Sequence, residues 1–295
     1  MKLTIKTICA AGFILSLSSC LKEDPYFDPA QSNNVIEFAN TGDLNNETLP
    51  RFYSDLGTLA AGSSTTININ INTAGPNMAG SDITVGLELD QAALDNYNSV
   101  EGASYVIPPA SVFSFPSSVV IKKGTNRIQA QATITNSADF SFDDAYALPI
   151  KIASVSDGTP VSANFGTALY SFGVRNAYDG HYSIKGYTLR AGDNVLSGNF
   201  TGKTMDLETT GKSSVAFGAA QFWGNGSAVG IPNPQLTINA DNSVTVFNAD
   251  GGAKNNPAYN SRYEPETKTF YISFSWGAGP ASRLATDTLT YIGPR

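Results

Sequence analysis

The run Thr65-Thr66-Ile67-Asn68-Ile69-Asn70-Ile71 confines this chain more than any other stretch. Apolar and polar residues alternate with a period of two, so an extended strand carries its isoleucines on one face and its amides on the other. The alternation returns at Ile83, Val85, Leu87 and Leu89. Such runs are half-buried strands of antiparallel sheets. Further strand signals stand at 35–38, 111–115, 119–122, 127–135, 146–155 and 168–174. Pro149 interrupts the 146–155 run, which predicts an edge strand or a bulge, because proline has no N–H for the ladder. Asp90 breaks the pattern and is placed to cap a short helical stretch at 90–97. About seven strands at this spacing, with almost no helix, predict a β-sandwich.

Beyond Arg175 the pattern restarts. Asn176, Asp179 and Gly180 make a turn-rich junction, and strands are predicted at 182–190, 195–201, 213–217, 235–239, 244–247, 268–276 and 285–292. Asn239-Ala240-Asp241-Asn242 reads as a hairpin turn. Antiparallel strands joined by short turns suit a small closed barrel, which removes exposed edges. The chain therefore divides into domains at 35–175 and 176–295, each long enough to bury its own core and expected to fold by itself.

The first nineteen residues are expected to leave the mature protein. Lys2 and Lys6 precede a short apolar run, 8–17, which falls below the roughly twenty residues a membrane span needs. This is the form of a secretory signal peptide. Leu17-Ser18-Ser19-Cys20 resembles a bacterial lipobox, which implies lipidation of Cys20 and anchoring in the outer membrane. Residues 20–34, with Pro25 and Pro29, read as a tether. Lys22-Glu23-Asp24 resembles the surface-export signal of Bacteroidota lipoproteins, which implies that the protein faces the cell exterior. With Lys2 and Lys6 removed and every acid retained, the formal charge of −7 becomes −9. That charge argues against nucleic acid as a partner. Cys9 leaves with the signal, so no disulfide is expected.

Leu87-Glu88-Leu89-Asp90 with Leu94 and Tyr97-Asn98, Tyr105 with Ile107-Pro108, Val120-Ile121-Lys122-Lys123-Gly124, and Tyr146-Ala147-Leu148-Pro149-Ile150-Lys151-Ile152 together resemble DUF1735. That family is an immunoglobulin-like N-terminal domain of Bacteroidota surface lipoproteins. Residues 261–270 and 287–291 resemble DUF4361, which follows DUF1735 in such proteins and is lipocalin-like. The resemblance implies an all-β protein, an immunoglobulin-like β-sandwich followed by a small antiparallel lipocalin-like β-barrel. It also implies an accessory of a polysaccharide-utilisation system beside a SusC/SusD-like importer.

Catalytic motifs are scarce, and no enzyme activity, metal or cofactor is expected. The one histidine, His181, reads as an exposed turn residue, and there is no G-x-S-x-G elbow. Zinc sites of the usual kind need several Cys or His. A glycosidase β/α barrel needs about 250 residues, and the acidic strand motif of such barrels is missing. Glycan binding is the leading reading. Sugar rings stack their C–H faces on aromatic rings while neighbouring polar groups bond the hydroxyls. Trp223 and Asn225 in a glycine-rich stretch, and Asn255, Asn256, Tyr259, Arg262 and Tyr263 in a polar-aromatic loop, are the candidate binding residues. The competing reading of Trp223 and the tyrosines is loop anchoring, since Trp is highly buried on average. Trp276 shares a face with Phe270, Ile272 and Phe274 and is assigned to the core. The alternatives are a structural or adhesion module, and a barrel enclosing a small apolar ligand.

Overall fold

The computed structural model describes residues 33–39, 49–228, 231, 234–248, 252–278 and 282–295. The signal peptide, Cys20, the Lys22-Glu23-Asp24 stretch and nearly all of the tether lie outside the described residues.

The first half is a two-sheet sandwich. One sheet orders β1 (Val35–Phe38), β3 (Ser64–Ala74), β8 (Arg127–Thr135) and β6 (Phe113–Ser114). The other orders β2 (Arg51–Thr58), β10 (Thr167–Arg175), β9 (Ala145–Val155), β4 (Ile83–Leu89) and β7 (Ser118–Ile121), with β5 (Tyr105–Val106) beside β9. The Ile67, Ile69, Ile71 stripe faces inward as expected, and Ile67 and Ile69 lie opposite Ala132 and Ala130 on β8. Small residues across from large ones let the layer pack against Val85, Leu148, Ile150 and Tyr170 of the facing sheet. The amides on the other face form cross-strand pairs, with Gln129 Nε2 donating to Asn70 Oδ1 at 3.1 Å.

Asp90 caps helix α1 (Gln91–Glu101), its carboxylate accepting from the Ala93 N–H at 3.1 Å. Leu94 and Tyr97 of α1 pack on Ala147 and Leu169, so β9 and β10 are buried on both faces. This explains the near-continuous apolar run Tyr146-Ala147-Leu148-Pro149-Ile150. It also corrects the expectation for Pro149. The strand is not an edge, since β9 lies between β10 and β4, and its bulge against β4 falls at Ala153 rather than at Pro149. Proline is tolerated because Pro149 O accepts from the Asp90 N–H at 2.9 Å, and beyond Asp90 the neighbouring chain leaves the sheet as α1. No ladder bond is lost.

The second half is one curled antiparallel sheet. Its order is β15 (Val244–Phe247), β14 (Gln235–Ile238), β13 (Ser214–Phe217), β12 (Gly198–Gly211), β11 (Gly180–Arg190), β19 (Arg283–Gly293), β18 (Thr269–Trp276) and β16 (Lys254–Asn255), with β17 (Arg262–Glu264) also on β18. The two ends of the sheet meet. Val244 N–H donates to Ser261 O at 2.9 Å, and Tyr263 N–H donates to Asn242 O at 2.8 Å. Inward side chains, among them Tyr182, Phe200, Leu207, Phe217, Phe270, Phe274 and Trp276, fill the barrel. The described interior is thus a packed core, which counts against the reading of a barrel enclosing an apolar ligand.

Candidate functional site

The aromatic residues singled out from sequence are not surface platforms. Trp223 is 7% exposed and lies 6.2 Å from Trp276, with the guanidinium groups of Arg190 and Arg283 within 6 Å of its ring. Its N–H donates to Ser227 O at 2.8 Å, which closes the glycine-rich stretch into a tight turn over the barrel end. Tyr263 is equally buried, between Tyr178 at 5.0 Å and Phe270 at 4.6 Å. Burial pushes its phenol pKa upward. Both residues are corrections: a ring packed on all sides has no face to offer a sugar, and Trp223 and Tyr263 anchor the core instead.

The polar candidates are held in backbone contacts. Asn255 closes the barrel. Its side-chain oxygen accepts from the Val246 N–H at 2.6 Å and its amide donates to Val244 O at 3.0 Å, so one side chain replaces a rung of the missing ladder. Asn225 Oδ1 accepts from the Ser227 N–H at 3.0 Å, and Asn256 Oδ1 from the Ala258 N–H at 3.1 Å, two turns of the kind asparagine favours. Arg262 stacks on Tyr271 at 4.3 Å, and Tyr259 is half-buried. His181 is also corrected. It sits in β11 rather than a turn, with Nδ1 2.6 Å from Asp206 Oδ1.

One buried polar pair lies in the barrel itself. Gln221 Nε2 donates to Asp287 Oδ2 at 2.6 Å, while Gln221 Oε1 and Asp287 Oδ1 have no partner. Burial drives the Asp287 carboxyl well above the usual carboxylate range, and the Gln221 bond opposes this only in part. Gly186 sits opposite Asp287 on β11, and a Cβ there would collide with Asp287 Oδ1.

Three aromatics are exposed among the described residues, Tyr53 of β2, Phe247 of β15 and Tyr187, and Tyr187 is the one on the outer wall of the barrel at β11. On β11, Ser183, Lys185 and Tyr187 point outward, paired with Thr290, Thr288 and Thr286 of β19. Tyr187 is 39% exposed, and Asn199 of β12 lies opposite it on the other side. Beside Lys185 the β11–β12 register slips, so Thr201 and Gly202 oppose a single residue. Such bulges bend a strand and open its surface. Two adjoining depressions result, of about 320 and 300 Å³, which share Lys185, Thr201 and Thr288. Tyr187 was not among the candidates expected from sequence, although the alternation across 182–190 carries the signal that turns it outward. What no local pattern revealed is that this face stays uncovered.

The junction between the halves is clamped. Asp179 is fully buried, and Oδ2 accepts from the Thr209 N–H at 2.7 Å and from Thr209 Oγ1 at 2.9 Å. Arg295 reaches Asp179 at 3.2 Å and Glu208 at 3.5 Å. Arg175 lies 4.0 Å from Asp179 and pairs with Asp55 of β2. An alternating chain of charges therefore runs from the sandwich to the barrel.

The fold defines a two-domain all-β protein, a sandwich followed by a side-chain-filled barrel. An N-terminal-domain family profile matches residues 31–159 and a C-terminal-domain profile matches residues 166–290. Among solved structures, the chain is similar to a Bacteroides ovatus protein of unknown function, at 15% identity over 90% of this chain and 98% of that one, with a TM-score of 0.53. It is also similar to a multidomain protein including DUF1735 from Bacteroides ovatus, at 14% identity over 86% and 93% of the two chains, with a TM-score of 0.45. An auxiliary nutrient binding protein from Bacteroides thetaiotaomicron matches at 15% identity over 85% and 93%, with a TM-score of 0.46. The curated proteins contain no match.

Proposed function

We propose that this protein is a non-catalytic glycan-binding lipoprotein of the outer membrane, facing the cell exterior, whose barrel wall holds the glycan. The observation that carries this reading is exposed Tyr187 with the Asn199 amide on one side and the Thr286 and Thr288 hydroxyls and Lys185 on the other. The tyrosine ring supplies the apolar face that a sugar stacks on. The amide, hydroxyls and ammonium supply donors and acceptors for the ring hydroxyls. The groove runs across three strands, so it accepts a length of chain rather than one enclosed ring. Cys20 carries the lipid, residues 20–34 form the tether, and 35–175 and 176–295 fold as the two domains. In this reading the protein serves a SusC/SusD-like importer as an accessory of polysaccharide utilisation.

Affinity is expected to be modest, because few contacts offset the cost of association. Tyr187→Ala should weaken binding more than fivefold on a glycan array followed by calorimetry, about 1 kcal/mol, without shifting the melting temperature. Absence of binding to a broad array of host and plant glycans would favour the structural-module reading. Cys20→Ala should release the protein from the outer-membrane fraction. Full retention there would defeat the anchor assignment.

A further inference from the structure

Where the two domains meet, the chain forms a cleft of about 460 Å³. This lies within the roughly 300–1,000 Å³ of small-molecule sites, which favour domain interfaces. One wall comes from the sandwich, with Leu59 and Phe142. The other comes from the junction and the β12–β13 hairpin, with Tyr178, Lys212 and Ser213.

Each wall is braced by a buried asparagine. Asn136 Nδ2 donates to Leu59 O at 2.8 Å and ties together the two sandwich loops that line the cleft. Asn176 Nδ2 donates to Gly211 O at 2.7 Å and to Ser214 O at 2.8 Å, holding the hairpin that carries Lys212. With Asp179 clamping the junction, the cleft is formed before any ligand arrives.

The lining is mostly apolar, and Lys212 is its sole charged side chain. Among the described residues Lys212 makes no ion pair, in a chain whose formal charge is −7. We infer that this cleft is a second binding site, for a small carboxylate with an apolar face. Its anion meets Lys212 and its flat body lies against Phe142 and Tyr178. Partial enclosure lowers the local dielectric and strengthens the ammonium–carboxylate attraction over its value in open water. A uronic acid and an aromatic carboxylate share this chemistry. The inference is independent of the glycan groove on the barrel wall.

The test uses the whole two-domain chain, with galacturonate, benzoate and neutral galactose as probes, read by ligand-observed NMR and calorimetry. At least one of the two acids should saturate a single site, with galactose at least tenfold weaker. Which acid binds identifies the ligand as saccharide or aromatic. Lys212→Gln should weaken binding about tenfold. Ala61→Trp, placed to fill the cleft from an exposed turn, should abolish it. Tyr187→Ala should leave it unchanged, which separates this site from the barrel wall. The inference is overturned if neither acid binds, if galactose binds as well as the acids, or if binding survives in Lys212→Gln with its affinity intact.

Discussion

In the sandwich, Leu94 and Tyr97 of α1 lie over Ala147 and Leu169, so β9 and β10 are buried on both faces. In the barrel, β11 and β19 bury one face only and show Ser183, Lys185, Tyr187 and three threonines to solvent. The α1-covered strands of the sandwich and the barrel wall thus use their outer faces for different ends. Strands covered by a helix gain apolar burial, about 25 cal/mol per Å², and keep no surface for a partner, while β2, beyond α1 in the same sheet, still exposes Tyr53. A bare wall forgoes that stabilisation and keeps the positions a ligand needs. Under the proposed function, that contrast favours the barrel wall over the α1-covered strands as the glycan surface.

The severest trial of this contrast falls on the barrel end. Trp223→Ala should destabilise the protein by about 3–5 kcal/mol, as truncation of a buried tryptophan does, read as a lower denaturation midpoint. An unchanged midpoint with loss of glycan binding would return Trp223 to the surface and undo the division between core and wall.

Much of the fold was legible because strand alternation is local. The Ile67, Ile69, Ile71 stripe, the Asp90 cap and the 239–242 hairpin all follow from neighbours in sequence. β2 escaped notice for the opposite reason. Its outer face carries Arg51, Tyr53 and Asp55, its inner face carries half-buried Phe52 and Leu56, and its partner is β10, paired in parallel from Leu169 to Arg51. The latter part of β12 was also unmarked, since only Met205 and Leu207 signal its inner face before Gly211. The candidate site was less legible still. Trp223 is buried by Arg190, Arg283 and Trp276, which come from three different strands. Asn255 acts at a seam whose position exists only once the sheet has curled.

A paired substitution sharpens the comparison directly. Leu94→Ala should cost about 2–4 kcal/mol by opening a cavity between α1 and the sandwich. Thr288→Ala on the bare wall should stay within about 0.5 kcal/mol. Chemical denaturation of both variants decides it. Equal costs would mean that the barrel wall is packed after all.

The finest test concerns acidity inside the barrel. Because burial raises the Asp287 carboxyl above its unfolded value, its stabilising contribution is whole below the ordinary carboxylate range and is lost as pH rises through the folded value. Asp287→Asn keeps the shape and removes the proton dependence. The variant should gain stability over the native chain as pH rises from 4 to 8, with the gap closing toward pH 4. Parallel melting curves across that range would show that Asp287 stays ionised in the fold.

The charge relay Asp55–Arg175–Asp179–Arg295–Glu208 has a mechanical consequence. A force on the barrel acts as a torque on this joint, and a hinge at Asn176 would absorb it as swing. A clamped joint transmits it, so the barrel and sandwich turn as one lever arm and the load reaches β1 undiminished. The direction in which the barrel wall faces is then set by how the sandwich is held.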